Sequence, residues 1–415
     1  MKNLFTLITI LLLASRLTLA GGFQINEQGA RAMAMGNAFT ALANDPSSLY
    51  FNIAGMSQLT GFNMQIGTTL IAPSASFRGP SPKVNESSMV SQVFTPSTLY
   101  ATYQINSDFS VGFAFNTPFG LGTKWESDWV GRFNNLDTEV RTFTLNPAVS
   151  YRITDELSVG AGFIYAFGDV MIESARRLSF FNGEATIHLE GTETSAFGWN
   201  AGVLYKPMKD LSFGLSYRSE VVYGFEGTAK TTNAPAQLAS SLPAGDITAE
   251  LVTPQQFTAG VAVSPMQKLM VTADFQYIMW SSYDKLEVLY TSGKVLTSSP
   301  KEYEDVFILR LGAEYALDPT LDLRAGFVFD KNPVKDERVD PLLPDADRLA
   351  FGVGLGYDLT SDLTVDLAYL FIRFQERTIT NSKVNNSGNS DAFEPLNGTY
   401  NSTANLFGLT FSYKF

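Results

Sequence analysis

From about residue 94 onward the chain alternates between apolar and small or polar side chains, the two-residue period of a β-strand. Phe109, Val111, Phe113 and Phe115 alternate with Ser110, Gly112, Ala114 and Asn116. The same pattern returns at Phe143/Leu145, Phe197/Trp199/Ala201/Val203/Tyr205, Phe307/Leu309/Leu311/Ala313/Tyr315 and Leu349/Phe351/Val353/Leu355/Tyr357. Six tight connections punctuate it near Ser107, Asp155, Met208, Met266, Asp318 and Ser361, each followed by an apolar residue on the same face. In five of the six, a tyrosine precedes the turn on that face: Tyr103, Tyr151, Tyr205, Tyr315 and Tyr357, with Val263 in the sixth. A soluble sandwich also alternates, but it has no reason to place tyrosine at one end of nearly every hairpin. A bilayer interface does, because the ring is apolar and the hydroxyl stays wet.

Long polar stretches near 79–93, 117–138, 176–184, 227–246, 291–301, 331–347 and 379–400 separate the tight turns. Short turns on one side and long loops on the other are the asymmetry of an outer-membrane barrel. The pattern predicts an all-β membrane protein: an antiparallel barrel of about fourteen strands over residues 62–415, both ends periplasmic. Closure leaves no unpaired edge in lipid. A barrel of that size is too wide for side chains to fill. Residues 21–61 lack strand alternation, and Ala30 to Ala43 is rich in Ala, Met and Gly, predicting a short small-faced helix. Asp45-Pro46 reads as an N-cap with Pro at the first helical position, opening a second turn through Tyr50. This segment is expected to be a helical hatch that plugs the lumen. Residues 1–20 read as a signal peptide: Lys2, an apolar run from Leu4 to Ala14, and Thr18-Leu19-Ala20 before a cut at Gly21.

Composition excludes rival classes. The chain has no Cys and one His (His188), so disulfide scaffolds, thiol nucleophiles and multi-His metal sites are out. The balance of 29 basic and 41 acidic residues opposes nucleic-acid binding. His188 would have to serve a hydrolase with no nucleophile motif beside it. Gly352-Val353-Gly354-Leu355-Gly356 mimics a nucleotide loop, but its glycines share the lumenal phase and are read as clearance for the plug. No enzyme activity, cofactor or metal is expected.

Gly22-Phe23-Gln24-Ile25-Asn26-Glu27-Gln28, Gly29-Ala30-Arg31-Ala32-Met33 and Asp45-Pro46-Ser47-Ser48-Leu49-Tyr50-Phe51-Asn52 resemble the hatch of the FadL-type long-chain fatty acid and hydrocarbon outer-membrane transporters. Pro118-Phe119-Gly120-Leu121, Trp125, Trp129 and Gly131-Arg132-Phe133 resemble the loop after that family's third strand. The resemblance spans the mature chain. Where the family carries Asn-Pro-Ala, this sequence reads Asn52-Ile53-Ala54, which frees φ and restores a backbone donor. The resemblance implies a kink in the third strand, here Phe109 to Asn116, that opens the wall sideways and releases cargo into the bilayer.

The chemistry supports that expectation. Hydrophobic molecules need an apolar capture surface outside the lipopolysaccharide leaflet, and Phe119, Leu121, Trp125, Trp129, Val130 and Phe133 supply a cluster in an outer loop. Trp125 and Trp129, four apart, would share one face of a helical turn. Inside, Phe23, Phe39, Tyr50, Phe51, Ile53 and Met56 are candidate pocket residues, with hatch-core packing as the alternative. A carboxylate headgroup would want a cation. Strand parity points Arg152, Arg310 and Arg324 inward, with Arg176 and Arg177 at a strand's outer end. Glu314, Asp322, Asp274 and Asp366 share the inward phase, so lumenal ion pairs compete for them. Asp340, Asp345 and Asp347 mark an acidic loop, read as solvated or as a divalent-ion site on lipopolysaccharide. The expected function is passive transport of hydrophobic molecules across a Gram-negative outer membrane by a monomer, with long-chain fatty acids first. Aromatic or alkane hydrocarbons, or a plugged structural or adhesion barrel that transports nothing, are the alternatives.

Overall fold

The computed structural model describes residues 21–82, 85–178, 183–388 and 392–415; the signal-peptide expectation for 1–20 lies outside them. Fourteen strands form the wall. They are β1 (Phe62–Arg78), β2 (Ser97–Gln104), β3 (Phe109–Asn116, resumed as Gly120–Lys124), β4 (Asp137–Arg152) and β5 (Leu157–Leu178). Then come β6 (Gly183–Met208), β7 (Leu211–Arg218 and Val221–Thr232), β8 (Gly245–Thr253 and Gln256–Met266) and β9 (Leu269–Ile278 and Lys285–Tyr290). Last are β10 (Val295–Pro300 and Val306–Ala316), β11 (Leu321–Asp330), β12 (Arg348–Asp358), β13 (Leu363–Phe374) and β14 (Gly398–Lys414). Neighbours pair antiparallel in chain order, and β1 pairs with β14 from Asn63↔Lys414 to Arg78↔Thr399, which closes the barrel.

The apolar phase faces outward. The five turn-flanking tyrosines are 40–51% exposed, in register at one rim, and Phe113, Trp199, Leu311 and Phe351 continue the exposed band above them. Side chains that would be costly in water are thus spread over a continuous lipid-facing surface. The opposite rim departs from expectation at 291–301. There, Lys285–Tyr290 and Val295–Pro300 pair as a hairpin extending the wall, with only a tight turn at 291–294.

The core is the lumen. The hatch contributes α1 (Ala30–Ala34), α2 (Ser48–Phe51) and a 3-10 helix (Ile53–Gln58). The helix expected through Ala43 stops after one turn, because Gly36 (φ +64°) and Asn37 (φ +59°) take left-handed conformations and turn the chain back. The second helix starts two residues later than expected, at Ser48 with Ser47 as its N-cap, and Asp45 lies before it, its carboxylate accepting from the Ser47 amide at 2.8 Å and hydroxyl at 2.6 Å in the turn that leads into α2. Asn52 caps the 3-10 helix by accepting from the Ala54 amide at 3.2 Å, and its own amide donates to Thr40 and to the wall carbonyl of Val203. Ile53 occupies the first position of that helix, where no intrahelical N–H bond is made, and so is compatible with the turn that Pro favours.

The hatch touches the wall through glycine. A Cβ at Gly326 would lie 2.0 Å from the Gly36 nitrogen, and one at Gly352 would lie 2.8 Å from the Met33 carbonyl oxygen. Backbone meets backbone here, so β11 and β12 can hold α1 only where side chains are absent.

Candidate functional site

The third strand breaks at Thr117, Pro118 and Phe119. Pro118 has no amide to donate to the sheet, and the three residues bulge between the pairs Asn116↔Thr144 and Gly120↔Arg141. The polar groups freed by the bulge find partners in the hatch. Ile25 N–H donates to the Pro118 carbonyl at 2.9 Å, Gly120 N–H donates to the Phe23 carbonyl at 3.1 Å, and the Gln28 side chain donates to the Thr117 carbonyl at 3.0 Å. Gln24 and Phe119 are directly opposed as a short antiparallel bridge. The hatch therefore completes the sheet where the wall strand leaves it, as buried backbone groups require.

On its other side the kinked strand loses its neighbour. Pairing between β2 and β3 ends at Leu99↔Phe115, and the chain before β2 turns to β1 instead, through Thr69 N–H to Pro96 and reciprocal bonds of Ile71 with Phe94. The Phe94 ring lies over Gly122 so closely that a Cβ there would sit 1.9 Å from it. Phe94 thus closes a seam in the wall with a side chain instead of hydrogen bonds.

Behind this seam is a cavity of about 630 Å³. Phe23, Ile71, Phe94, Phe119, Leu121 and Leu370 line its apolar sides, and Glu27, Arg310, Asp330 and Arg348 its polar floor. A second apolar cleft of about 80 Å³ lies toward the loops, between Val170, Leu189, Phe225, Ile247 and Leu286. Phe23, Leu121, Val140 and Leu343 border both spaces and so form the partition between them. Phe23 is held there by Trp280 at 4.8 Å and Phe119 at 5.9 Å between ring centroids.

The structure brings Phe23, Phe119 and Leu121 together in the cavity. Tyr50 and Phe51 border a small polar space beneath it. Phe39, Ile53 and Met56 are packed into the hatch core and border none of these spaces.

The outer cluster differs from expectation. Residues 125–134 form no helix, and Trp125 and Trp129 are each only 3% exposed. Their rings stack at 4.2 Å, with indole N–H groups donating to the Pro341 and Asn135 carbonyls. The cluster is inside because the loop after β11 meets it at Pro341 and Phe77 of β1 packs edge-on against Trp129. Phe133 is half-buried between the guanidiniums of Arg132 and Arg177. Only Val130 of the group is exposed.

The charged candidates sort equally clearly. Arg324 is saturated, binding Glu314 and Asp366 at 2.7 and 2.5 Å, and Arg31 of the hatch forks onto Glu314 at 2.8 Å through two nitrogens. Arg324 is therefore corrected from headgroup partner to hatch anchor. Arg176 and Arg177 sit at the outer end of β5, where Arg177 stacks on Phe133, and neither borders these spaces. Arg310 borders the cavity. The acidic loop is not a solvated one. Asp340 pairs with buried Lys301, and Asp345 accepts from Arg348 and from the Gly22 amide. Burial opposes the charge on Lys301, above the bilayer band, but the Asp340 carboxylate outweighs it and holds the lysine pKa above its ordinary value. Among the described residues no group of three or more His, Asp or Glu is placed to hold a metal.

Sequence reasoning missed Phe94 and also Arg218, which borders the small polar space beneath the cavity. Arg218 was within reach: it follows Ser212, Gly214 and Ser216 on the inward phase of β7, while Phe213 and Leu215 face lipid. Nothing local distinguishes Phe94.

Known proteins agree with this architecture. The profile of the "Outer membrane protein transport protein (OMPP1/FadL/TodX)" family matches residues 11–415. The "Long-chain fatty acid transport protein" of Escherichia coli O6:H1 is 26% identical over 456 aligned positions, covering 100% of this chain and 99% of that protein. Outer membrane protein P1 of Haemophilus influenzae is 28% identical, covering 79% of this chain and 76% of that one. Among solved structures, a Pseudomonas aeruginosa FadL homologue superposes with a TM-score of 0.84 at 21% identity, covering 95% of this chain and all of that one. The Pseudomonas putida toluene transporter TodX gives 0.72 at 18%, covering 95% and 99%. The chain belongs to the OMPP1/FadL/TodX family of outer-membrane transport proteins.

Proposed function

We propose that the protein carries hydrophobic molecules, long-chain fatty acids first, from its outer loops through the two apolar spaces and out through the seam at the β3 kink. The observation that carries this reading is the cavity of about 630 Å³, apolar on its sides, that ends at a stretch of wall without β2–β3 hydrogen bonds. The volume is in the range of ligand pockets. Two spaces partitioned by Phe23, Leu121, Val140 and Leu343 would hold cargo weakly and in series, as conduction demands. Release toward lipid requires Phe94 to swing off Gly122 and the hatch to slip from Pro118 and Gly120. These are a side-chain rotation and a few net-weak hydrogen bonds, each about 0.5–1.5 kcal/mol. Likeness to toluene transporters supports aromatic hydrocarbons as the second cargo, since the apolar sides have no feature that would reject them.

The test is uptake of labelled oleate and of labelled toluene by cells with and without the gene. Gene-dependent uptake of oleate is expected. Identical uptake of both compounds in the two strains would return the molecule to a plugged structural barrel.

A further inference from the structure

Strands β6 and β7 stop pairing part-way up the wall. Their register runs from Met208↔Leu211 to Asn200↔Arg218, lapses, and resumes at Thr192↔Glu226. Across the lapse each strand keeps its other neighbour. β6 pairs with β5 at Phe197↔Tyr165 and Ala196↔Ala166, and β7 pairs with β8 from Val221↔Thr253 to Phe225↔Ala249. Two intact stretches of sheet therefore meet edge to edge without a ladder between them.

Side chains close this gap. The Trp199 amide donates to the Ser219 hydroxyl at 2.9 Å. The Glu193 carboxylate accepts from the Ser195 amide on its own strand and from the Gly224 amide across the gap, both at 2.7 Å. Between these contacts Val221 lies on Gly198, where a Cβ would stand 2.8 Å from the valine methyl. Phe94 on Gly122 closes the β3 seam in the same way, with a side chain on a glycine in place of hydrogen bonds.

The gap has lipid on one side and the smaller apolar cleft on the other. Phe197, Trp199 and Val222 are 57, 52 and 42% exposed on the outer face, whereas Val221, Tyr223 and Phe225 are buried on the inner one. Phe225, Gly191 and Gly227 border the cleft. The gap stands where the exposed apolar residues of β6 give way to Ser195, Thr194 and Glu193, which marks the outer interface of the bilayer. The outer loop offers no comparable surface, since Trp125 and Trp129 are packed away and only Val130 of that group is exposed. Apolar molecules collect in the acyl layer and not in water. Glu193, Glu220 and Glu226 flank the gap, and they would repel an approaching carboxylate.

Resting on the transport reading above, we propose that the β6–β7 gap is a second entrance, through which uncharged hydrocarbons dissolved in the outer leaflet pass sideways into the smaller cleft and then follow the route past Phe23. Opening takes rotation of Val221 off Gly198 and release of the Glu193 bond to Gly224, and no ladder bond breaks. Ionised fatty acids are turned away by the three glutamates and enter among the loops. The wall then carries two seams, an inlet that serves the cleft and an outlet at β3 that serves the cavity.

The experiment staples the gap. A Cβ at 198 stands 2.8 Å from an atom that a cysteine sulfur would replace at 221, so the pair Gly198→Cys/Val221→Cys suits a disulfide, and the chain has no other cysteine. Gene-dependent uptake of labelled hexadecane and of labelled oleate is measured in cells carrying the double variant, oxidised and reduced, against wild type and each single variant. Assembly is checked by heat-modifiable mobility. The oxidised protein should lose most of its hexadecane uptake and keep its oleate uptake, and reduction should restore the loss. If the pair does not assemble, Val221→Cys alone should react with a bilayer-soluble maleimide in outer membranes, and the reacted protein should show the same selective loss. An equal loss of both cargoes would make the gap a structural joint and overturn the entrance, as would hexadecane uptake that neither the bond nor the reagent alters. Wild type that takes up oleate but not hexadecane would overturn the entrance alone. Wild type that takes up neither would overturn the transport reading with it.

Discussion

The hatch is held to the wall in two unlike ways. Against β10, β11 and β13 it is fixed by buried charge and close backbone contact: Arg31 forked onto Glu314, Arg324 bridging Glu314 and Asp366, and Gly36 seated on Gly326. Against β3 it is held by the amide–carbonyl bonds of residues 23–25, the Gln28 side chain and the Phe23 ring. Removing one partner of a buried ion network costs about 3–5 kcal/mol, whereas an amide bond that water can replace is worth about 0.5–1.5 kcal/mol. The hatch is pinned on one side and lightly sewn on the other. The lightly sewn side is the one that borders the cavity and the seam, so in the proposed route a small displacement there would open the wall without unplugging the lumen.

Deleting residues 21–61 removes both kinds of attachment at once. The barrel should still assemble, because β1 and β14 close without the hatch, but the lumen should pass polar solutes. Sensitivity to large polar antibiotics should rise sharply, and unchanged sensitivity would mean that the loops alone seal the channel.

Next in size is Glu314→Ala, which removes the wall carboxylate shared by Arg31 and Arg324 and leaves them only Asp45 of the hatch and Asp366 and Asp322 of the wall. We expect a loss of about 3–5 kcal/mol in hatch docking, read as protease cleavage between residues 35 and 60 in a barrel that keeps its heat-modifiable mobility. A hatch as resistant as wild type would show that the ion network is not its anchor.

A smaller effect is expected from Trp129→Ala, which removes the stacking partner of Trp125 and the bond to Asn135. Burying a large apolar side chain is worth about 1.5–3 kcal/mol, so the loop at 125–136 should loosen while the pinned side of the hatch stays protected. Hydrogen exchange resolved by peptide separates the two. Faster exchange in α1 as well would mean that the outer loop braces the whole plug.

The wall was legible in the sequence because its physics is local. Alternation, tight turns and a tyrosine before five of the six turns repeat along the chain, and each reports where one strand meets the bilayer. The hatch was legible in outline, from the loss of alternation and the turn at Asp45-Pro46, but not in its helix bounds: α2 starts only at Ser48, and α1 ends early because Gly36 and Asn37 reverse the chain to meet a wall more than 280 residues away. The site was less legible still. Pro118 marks a break in a strand, yet nothing near it says that residues 23–25 will supply the missing partners. The Trp125/Trp129 pair shows why an apolar outer loop misleads: composition gives the side chains, and only the fold says whether Pro341 lies on top of them. Arg218 shows the reverse, a buried charge that no ion pair among the described residues joins to a carboxylate, which only the fold reveals.

In the proposed route the hatch must part from the β3 kink for cargo to pass. Gln24 and Phe119 face each other across an antiparallel bridge, a spacing that suits a disulfide, and the chain has no native cysteine to confuse the result. Oleate uptake by cells carrying the Gln24→Cys/Phe119→Cys protein should be measured before and after reduction, against each single variant. The account predicts that the oxidised double variant assembles normally but transports poorly, and that reduction restores uptake to the level of the single variants. Equal uptake with the bond intact and reduced would contradict it, and would place the route elsewhere in the barrel.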